Sequence, residues 1–155
     1  MPRATKHIPT PLPMPENVPI LIVDDDEALR ESLHLVLEFE YDGCVTVAEV
    51  AATPDAFTYL HSAAVPHIVL LDFRLHDANA DMVLGLIQRY AALQCHRYVL
   101  MPAIEVTRLP YDAQKLINAV CAEVVMKPFD LTTMFEAVRR AEAQLAAGSP
   151  DEERS

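Results

Sequence analysis

The chain has 155 residues, 52% of them hydrophobic, and a formal net charge of -11 at pH 7. That length and apolar content fit one domain burying about two-thirds of the surface its unfolded chain exposes, and they exclude a disordered chain. The acidic balance repels phosphate backbones, and Arg139-Arg140 alone makes no basic patch, so direct nucleic-acid binding is excluded.

Residues Met1 to Pro19 carry six of the twelve prolines. Pro9, Pro11, Pro13 and Pro15 alternate, which favours an extended, flexible arm. It reads either as a docking peptide or linker, or as a tail. An ordered domain is expected over residues 20–147, with an acidic flexible tail over 148–155.

Ile20-Leu21-Ile22-Val23 is the first predicted strand, and it runs into Asp24-Asp25-Asp26. Asp26 or its neighbour can cap a helix carrying Leu29, Leu33, Val36 and Leu37 at helical spacing. Asp42-Gly43 is a turn signal, and Cys44 to Ala48 a second strand. Thr53-Pro54-Asp55 reads as a capped helix start, with Phe57 and Leu60 facing inward. Ile68-Val69-Leu70-Leu71 is a third strand, apolar on both faces, and Asp72 comes directly after it. Met82, Val83, Leu86, Ile87 and Tyr90 mark the next helix. Tyr98 to Met101 is a fourth strand, cut off by Pro102. A long loop, Ala103 to Pro110, precedes a short helix from Tyr111 with Leu116 and Ile117. Val124 to Met126 is a fifth strand leading into Lys127-Pro128-Phe129. Asp130 caps a last helix with an inner stripe of Leu131, Met134, Phe135, Val138 and Leu145. Gly148-Ser149-Pro150 stops it.

Five alternations of strand and helix call for an α/β fold, a parallel sheet with helices on both faces. Three cysteines, Cys44, Cys95 and Cys121, lack CxxC spacing and suit small apolar core positions in a reducing compartment. Six scattered histidines show no metal-ligand spacing. No membrane span and no secretory signal are visible, so the chain reads as cytoplasmic.

A buried parallel strand delivers its next residue to the carboxyl edge of the sheet, where open α/β sheets bind ligands. Asp72 is placed there as a reactive group or, more simply, as a cap for the next turn. In a doubly wound sheet of order 2-1-3-4-5, the flavodoxin-like arrangement, strands one and three are neighbours. Asp24, Asp25 and Asp72 then share one cleft. Three such carboxylates repel one another, and a hard divalent cation resolves this; magnesium uses one or two carboxylates with phosphate oxygens and water. Lys127 adds a point charge suited to a phosphoryl group. The set reads as phosphoryl chemistry at an aspartate.

Three stretches carry a resemblance: Ile-Leu-Ile-Val-Asp-Asp-Asp from Ile20, Pro-His-Ile-Val-Leu-Leu-Asp-Phe-Arg-Leu from Pro66, and Lys-Pro-Phe-Asp from Lys127. With their spacing, they resemble the receiver domains of two-component response regulators over roughly Ile20 to Leu145. The resemblance implies that Asp72 is the phosphoacceptor, charged by a sensor histidine kinase or a histidine phosphotransfer protein. It implies that Asp25 binds Mg2+ directly and Asp24 through water, with the Arg74 backbone carbonyl completing the protein ligands. Lys127 would pair with a phosphoryl oxygen, and the Lys127-Pro128 bond would be cis. A downstream protein partner is expected, and a homodimer is a further expectation.

The departures lie at the positions that transmit the signal. The family usually has Ser or Thr where Pro102 stands, and Tyr or Phe where Val124 stands. Its loop after the phosphoacceptor usually reads Leu-Pro-x-x-Asp-Gly, whereas here Leu75 is followed by His76, with Asn79 and Ala80 at the last two places. His76 either tunes hydrolysis or is simply solvated.

The leading reading is a stand-alone phospho-receiver, and the second a receiver-like scaffold that binds a partner without phosphorylation. A third is an enzyme. Asp24-x-Asp26 resembles the first motif of haloacid-dehalogenase-like phosphatases, but Ala28 replaces their Thr or Val and no acidic strand is expected after Lys127.

Overall fold

The computed structural model describes residues 17–75, 78–120 and 122–147, and at 74, 75 and 78–81 the backbone alone. The Pro-rich arm, the acidic tail, His76 and Cys121 lie outside the described residues.

Among the described residues, there are seven strands and six α-helices. They are β1 (Val18–Val23), α1 (Glu27–Glu40), β2 (Val45–Val50), α2 (Thr53–His61), β3 (Ile68–Asp72), β4 (Arg74–Leu75) and β5 (Ala78–Asn79). After these come α3 (Ala80–Arg89), α4 (Ala91–Gln94), β6 (Arg97–Met101), α5 (Tyr111–Ala119), β7 (Glu123–Val124) and α6 (Leu131–Ala146). Five strands form one sheet in the order β2-β1-β3-β6-β7, all parallel. This is the expected 2-1-3-4-5 order, with β6 and β7 as its fourth and fifth strands. The short β4–β5 antiparallel pair stands apart.

The apolar runs explain why the central strands are buried on both sides. Side chains alternate across a strand. Leu21 and Val23, Val69 and Leu71, and Tyr98 and Leu100 enter one core with α2, α3, α4 and α5. Ile20 and Ile22, Ile68 and Leu70, and Val99 and Met101 enter the other core with α1 and α6. Helices therefore cover both faces, as the alternating pattern predicts.

Asp26 caps α1 by accepting from the Leu29 N–H, and Asp130 caps α6 by accepting from the Thr133 N–H. Asp42 and Gly43 both take positive φ in the turn before β2, where glycine adopts that conformation without strain.

Several local expectations are corrected. Ala52, not Thr53, occupies the N-cap of α2 and offers no side-chain cap; Thr53 is inside the first turn and buried. On α3, Met82 is exposed, as is Tyr90 just beyond it, while Leu84 is fully buried. On α6 Leu131 is exposed, and Ala137 and Ala141 take inner places. Cys44 and Cys95 are exposed rather than core residues. The last strand comes one residue early and is two residues long. A 3-10 turn, Val106–Arg108, lies within the long loop.

Candidate functional site

The register assembles the site. Val23 of β1 is the partner of Leu71 of β3, so the next residues, Asp24 and Asp72, emerge together at the carboxyl edge. β6 brings Met101 beside Asp72. Beyond β7 the pairing continues as single bonds: the Val125 N–H donates to Leu100 O and the Lys127 N–H to Pro102 O at 2.7 Å. That carries Lys127 to the same edge. The Lys127-Pro128 bond is cis.

One ligand atom from each of Asp24, Asp25 and Asp72 lies within 4.8 Å of the others. Asp24 is fully buried, Asp72 is buried and Asp25 is half-buried. Every polar group of Asp24 is committed. Its N–H donates to Val50 O, and its carbonyl accepts from Arg30 Nη1 at 2.7 Å. Oδ1 accepts from the Asp26 N–H at 2.9 Å, and Oδ2 accepts from Lys127 Nζ at 2.8 Å. The same ammonium donates to Asp72 Oδ1 at 3.1 Å. Burial alone would lower the Lys127 pKa; the bond to Asp24 and the charge of Asp72 outweigh it, and the ammonium titrates above its ordinary value.

The donor set is all hard carboxylate oxygen, which suits a small divalent cation and not a soft metal. Lys127 already supplies a cation between two of the three groups. Arg74 sits in β4, two residues beyond Asp72. The expected acceptor, acidic and lysine residues therefore meet in one place. Pro102 is buried at the end of β6, and Val124 packs in β7 against the α2–α5 core. After Lys127 only α6 remains among the described residues, so no further acidic strand joins the site there.

Two participants were not foreseen, Arg30 and Glu49. Glu49 is the last residue of the inward-facing series Val45-Val47-Glu49 of β2. A carboxylate where the alternation calls for an apolar side chain was the available signal, since a buried charge requires a partner.

The model of the response regulator receiver domain matches residues 20–139. The chain belongs to that family. The transcriptional regulatory protein FixJ of Azorhizobium caulinodans is 31% identical over 127 residues, which are 81% of this chain and 56% of that protein. The chain thus spans about half the length of that curated relative. Among solved structures, the signal receiver domain of an HD domain-containing protein from Pseudomonas fluorescens Pf-5 superposes with a TM-score of 0.72 at 19% identity. That match covers 93% of this chain and 98% of the other. A CheY-like receiver domain protein from Methanospirillum hungatei JF-1 gives 0.71 at 19% identity, covering 86% and 99%. At these identities the likeness shows the fold. No helix among the described residues is long and apolar enough to cross a membrane.

Proposed function

We propose that this receiver domain is a phosphoacceptor module of a two-component or phosphorelay system, with Asp72 as the accepting residue. The observation that carries this is the meeting of Asp72 with Asp24, Asp25 and Lys127 at one sheet edge. A carboxylate oxygen of Asp72 attacks the phosphorus of a phosphohistidine. The P–O bond forms as the P–N bond breaks, and the electron pair returns to the imidazole of the kinase or phosphotransfer protein. Lys127 neutralises phosphoryl oxygens and holds Asp72 oriented. Asp25, Asp24 and the Arg74 carbonyl would hold Mg2+ beside Asp72, which supplies charge neutralisation for the transferring group. Hydrolysis of the acyl phosphate by water resets the module, so the only catalysis is of its own modification. The site of action is the cytoplasm, and a downstream protein reads the phosphorylated state.

The test is incubation with Mg2+ and acetyl phosphate, followed by intact-mass measurement and mapping. A gain of one phosphoryl group on Asp72 supports the reading. No gain, together with no binding of fluoroberyllate, overturns it in favour of a phosphorylation-independent scaffold.

A further inference from the structure

The acidic loop between β1 and α1 has only two residues between the end of the strand and its cap, Asp26. Its geometry is closed from the helix side. The Arg30 N–H donates to Asp26 O at 3.0 Å, as the first turn of α1 requires. The Arg30 guanidinium reaches further back, and Nη1 donates to Asp24 O at 2.7 Å. That carbonyl belongs to the Asp24–Asp25 peptide unit, which is planar. Holding its oxygen restrains the plane, and with it the direction in which the Asp25 side chain leaves the backbone.

Arg30 is itself held. Its side chain is only 15% exposed, and its Nε has no hydrogen-bond partner but lies 3.4 Å from Glu49 Oε1. The other oxygen of Glu49 meets His34 Nδ1 at 2.7 Å, and His34 Nε2 meets Glu38 Oε1 at 2.7 Å. The series Asp24–Arg30–Glu49–His34–Glu38 therefore runs from the site across β2 and along α1. Glu49 stands in β2 opposite Ile22, beside the strand that leads into Asp24.

We propose that Arg30, anchored by Glu49, is a positioning residue that sets the orientation of the Asp24–Asp25 peptide and so presents Asp25 to the cation. This rests on reading Asp25 as a metal ligand. The two effects of Arg30 on a cation oppose one another. By charge alone, a guanidinium near the site repels Mg2+, so its removal would tighten binding. By positioning, its removal loosens a ligand, and partners that orient ligands are typically worth about 10–100-fold in metal affinity. The sign of the change separates them.

The experiment compares the full chain with Arg30→Met and Arg30→Lys, each checked for folding by circular dichroism. Arg30→Met keeps an apolar stem and removes donors and charge. Its Mg2+ affinity should fall roughly tenfold or more, and Arg30→Lys should recover part of the loss with a single donor. In the metal-free protein, amide exchange at Asp26 should accelerate several-fold in Arg30→Met. An Mg2+ affinity that rises on Arg30→Met, or exchange that is unchanged, overturns the proposal. Asp25→Asn serves as the control for the reading beneath it. If that change leaves Mg2+ affinity intact, or the parent binds no Mg2+, the metal assignment fails and the exchange measurement alone decides whether Arg30 orients the loop.

Discussion

Lys127 Nζ bridges Asp24 Oδ2 at 2.8 Å and Asp72 Oδ1 at 3.1 Å, so one ammonium joins the two most buried carboxylates of the site. A divalent cation arriving at this cluster competes with that ammonium for the same oxygens. Lys127→Ala should therefore leave Mg2+ affinity intact or raise it, while slowing phosphoryl uptake, because the charge facing the phosphoryl group is gone. Mg2+ titration of the variant and its rate of labelling by acetyl phosphate check both parts. A clear loss of Mg2+ affinity would mean that Lys127 organises the cluster rather than competing with it.

Asp25 and Asp24 should differ as metal ligands. Asp24 has both side-chain oxygens engaged within the protein, by the Asp26 N–H and by Lys127. Asp25 is half-buried at the mouth of the cluster. Neutralising a direct ligand removes a coordination bond, whereas a contact through water can be bypassed. Asp25→Asn should weaken Mg2+ binding more than Asp24→Asn. Calorimetry on the two variants gives the ranking, and the reverse order contradicts the assignment.

Asp72→Asn should abolish acyl-phosphate formation altogether. An amide is not a nucleophile toward phosphorus under these conditions, and Asp24 is committed to its four hydrogen bonds. Persistent acid-stable or hydroxylamine-sensitive labelling of the variant would move the acceptor elsewhere.

At the opposite end of the sheet, His96 should make stability depend on acid. It is buried at the start of β6, where Nδ1 accepts from the His67 N–H at 2.9 Å and Nε2–H points at Leu60 O at 3.4 Å. Burial is the largest influence and lowers its pKa to about 4, opposed by the Leu60 carbonyl and aided by His67 and His61. The unfolded chain takes up its proton near pH 6.5, the folded one only near 4. The contribution is thus complete above about pH 6.5 and is lost as pH falls toward 4, amounting to about 3 kcal/mol in all. Urea unfolding at pH 7.5 and 5 should show the decline, and His96→Asn, which keeps an acceptor for the His67 N–H, should flatten it. An equal slope in the variant would assign the acid sensitivity to carboxylates.

Much of this was legible in the sequence because it depends on local pattern. The double-sided burial of β1, β3 and β6 arises from uninterrupted apolar runs, and each run ends at the residue that matters, Asp24, Asp72 or Pro102. Sites built at strand ends are readable for that reason. The Arg30–Glu49 contact was not, because it joins α1 to β2 through side chains whose meeting depends on packing angle. The inward places of Ala137 and Ala141 were missed for a similar reason. A small residue marks close helix–sheet approach only once the approach is known. Cys44 and Cys95 are exposed because Cys44 closes the turn before β2 and Cys95 ends α4, connections at the surface where position overrides the residue's usual burial.

The last prediction concerns transmission. A ligand shifts a two-state equilibrium only by its differential contact with the two states. In receivers that contact is expected from a hydroxyl at the end of the fourth strand, with an aromatic ring in the fifth moving in concert. Here the first position is Pro102, which has no hydroxyl and no N–H, and whose carbonyl is already bound by the Lys127 N–H at 2.7 Å. The second is Val124, packed against the α2–α5 core with no ring to swing. Thr107, the hydroxyl in the intervening loop, is exposed in the 3-10 turn. A hydrogen bond to a charged group is worth about 1.5–3 kcal/mol, so its loss removes up to about a hundredfold of coupling. Fluoroberyllate with Mg2+ should therefore perturb amide shifts around Asp72, Asp25 and Lys127, and leave α5 from Tyr111 to Ala119 nearly unchanged. Pro102→Thr should extend the perturbation toward α5, and adding Val124→Tyr should extend it further, since together they restore the donor and the ring. A parent protein that already shows a large, cooperative change reaching α5 would require another route between the two, one that passes through neither Pro102 nor Val124.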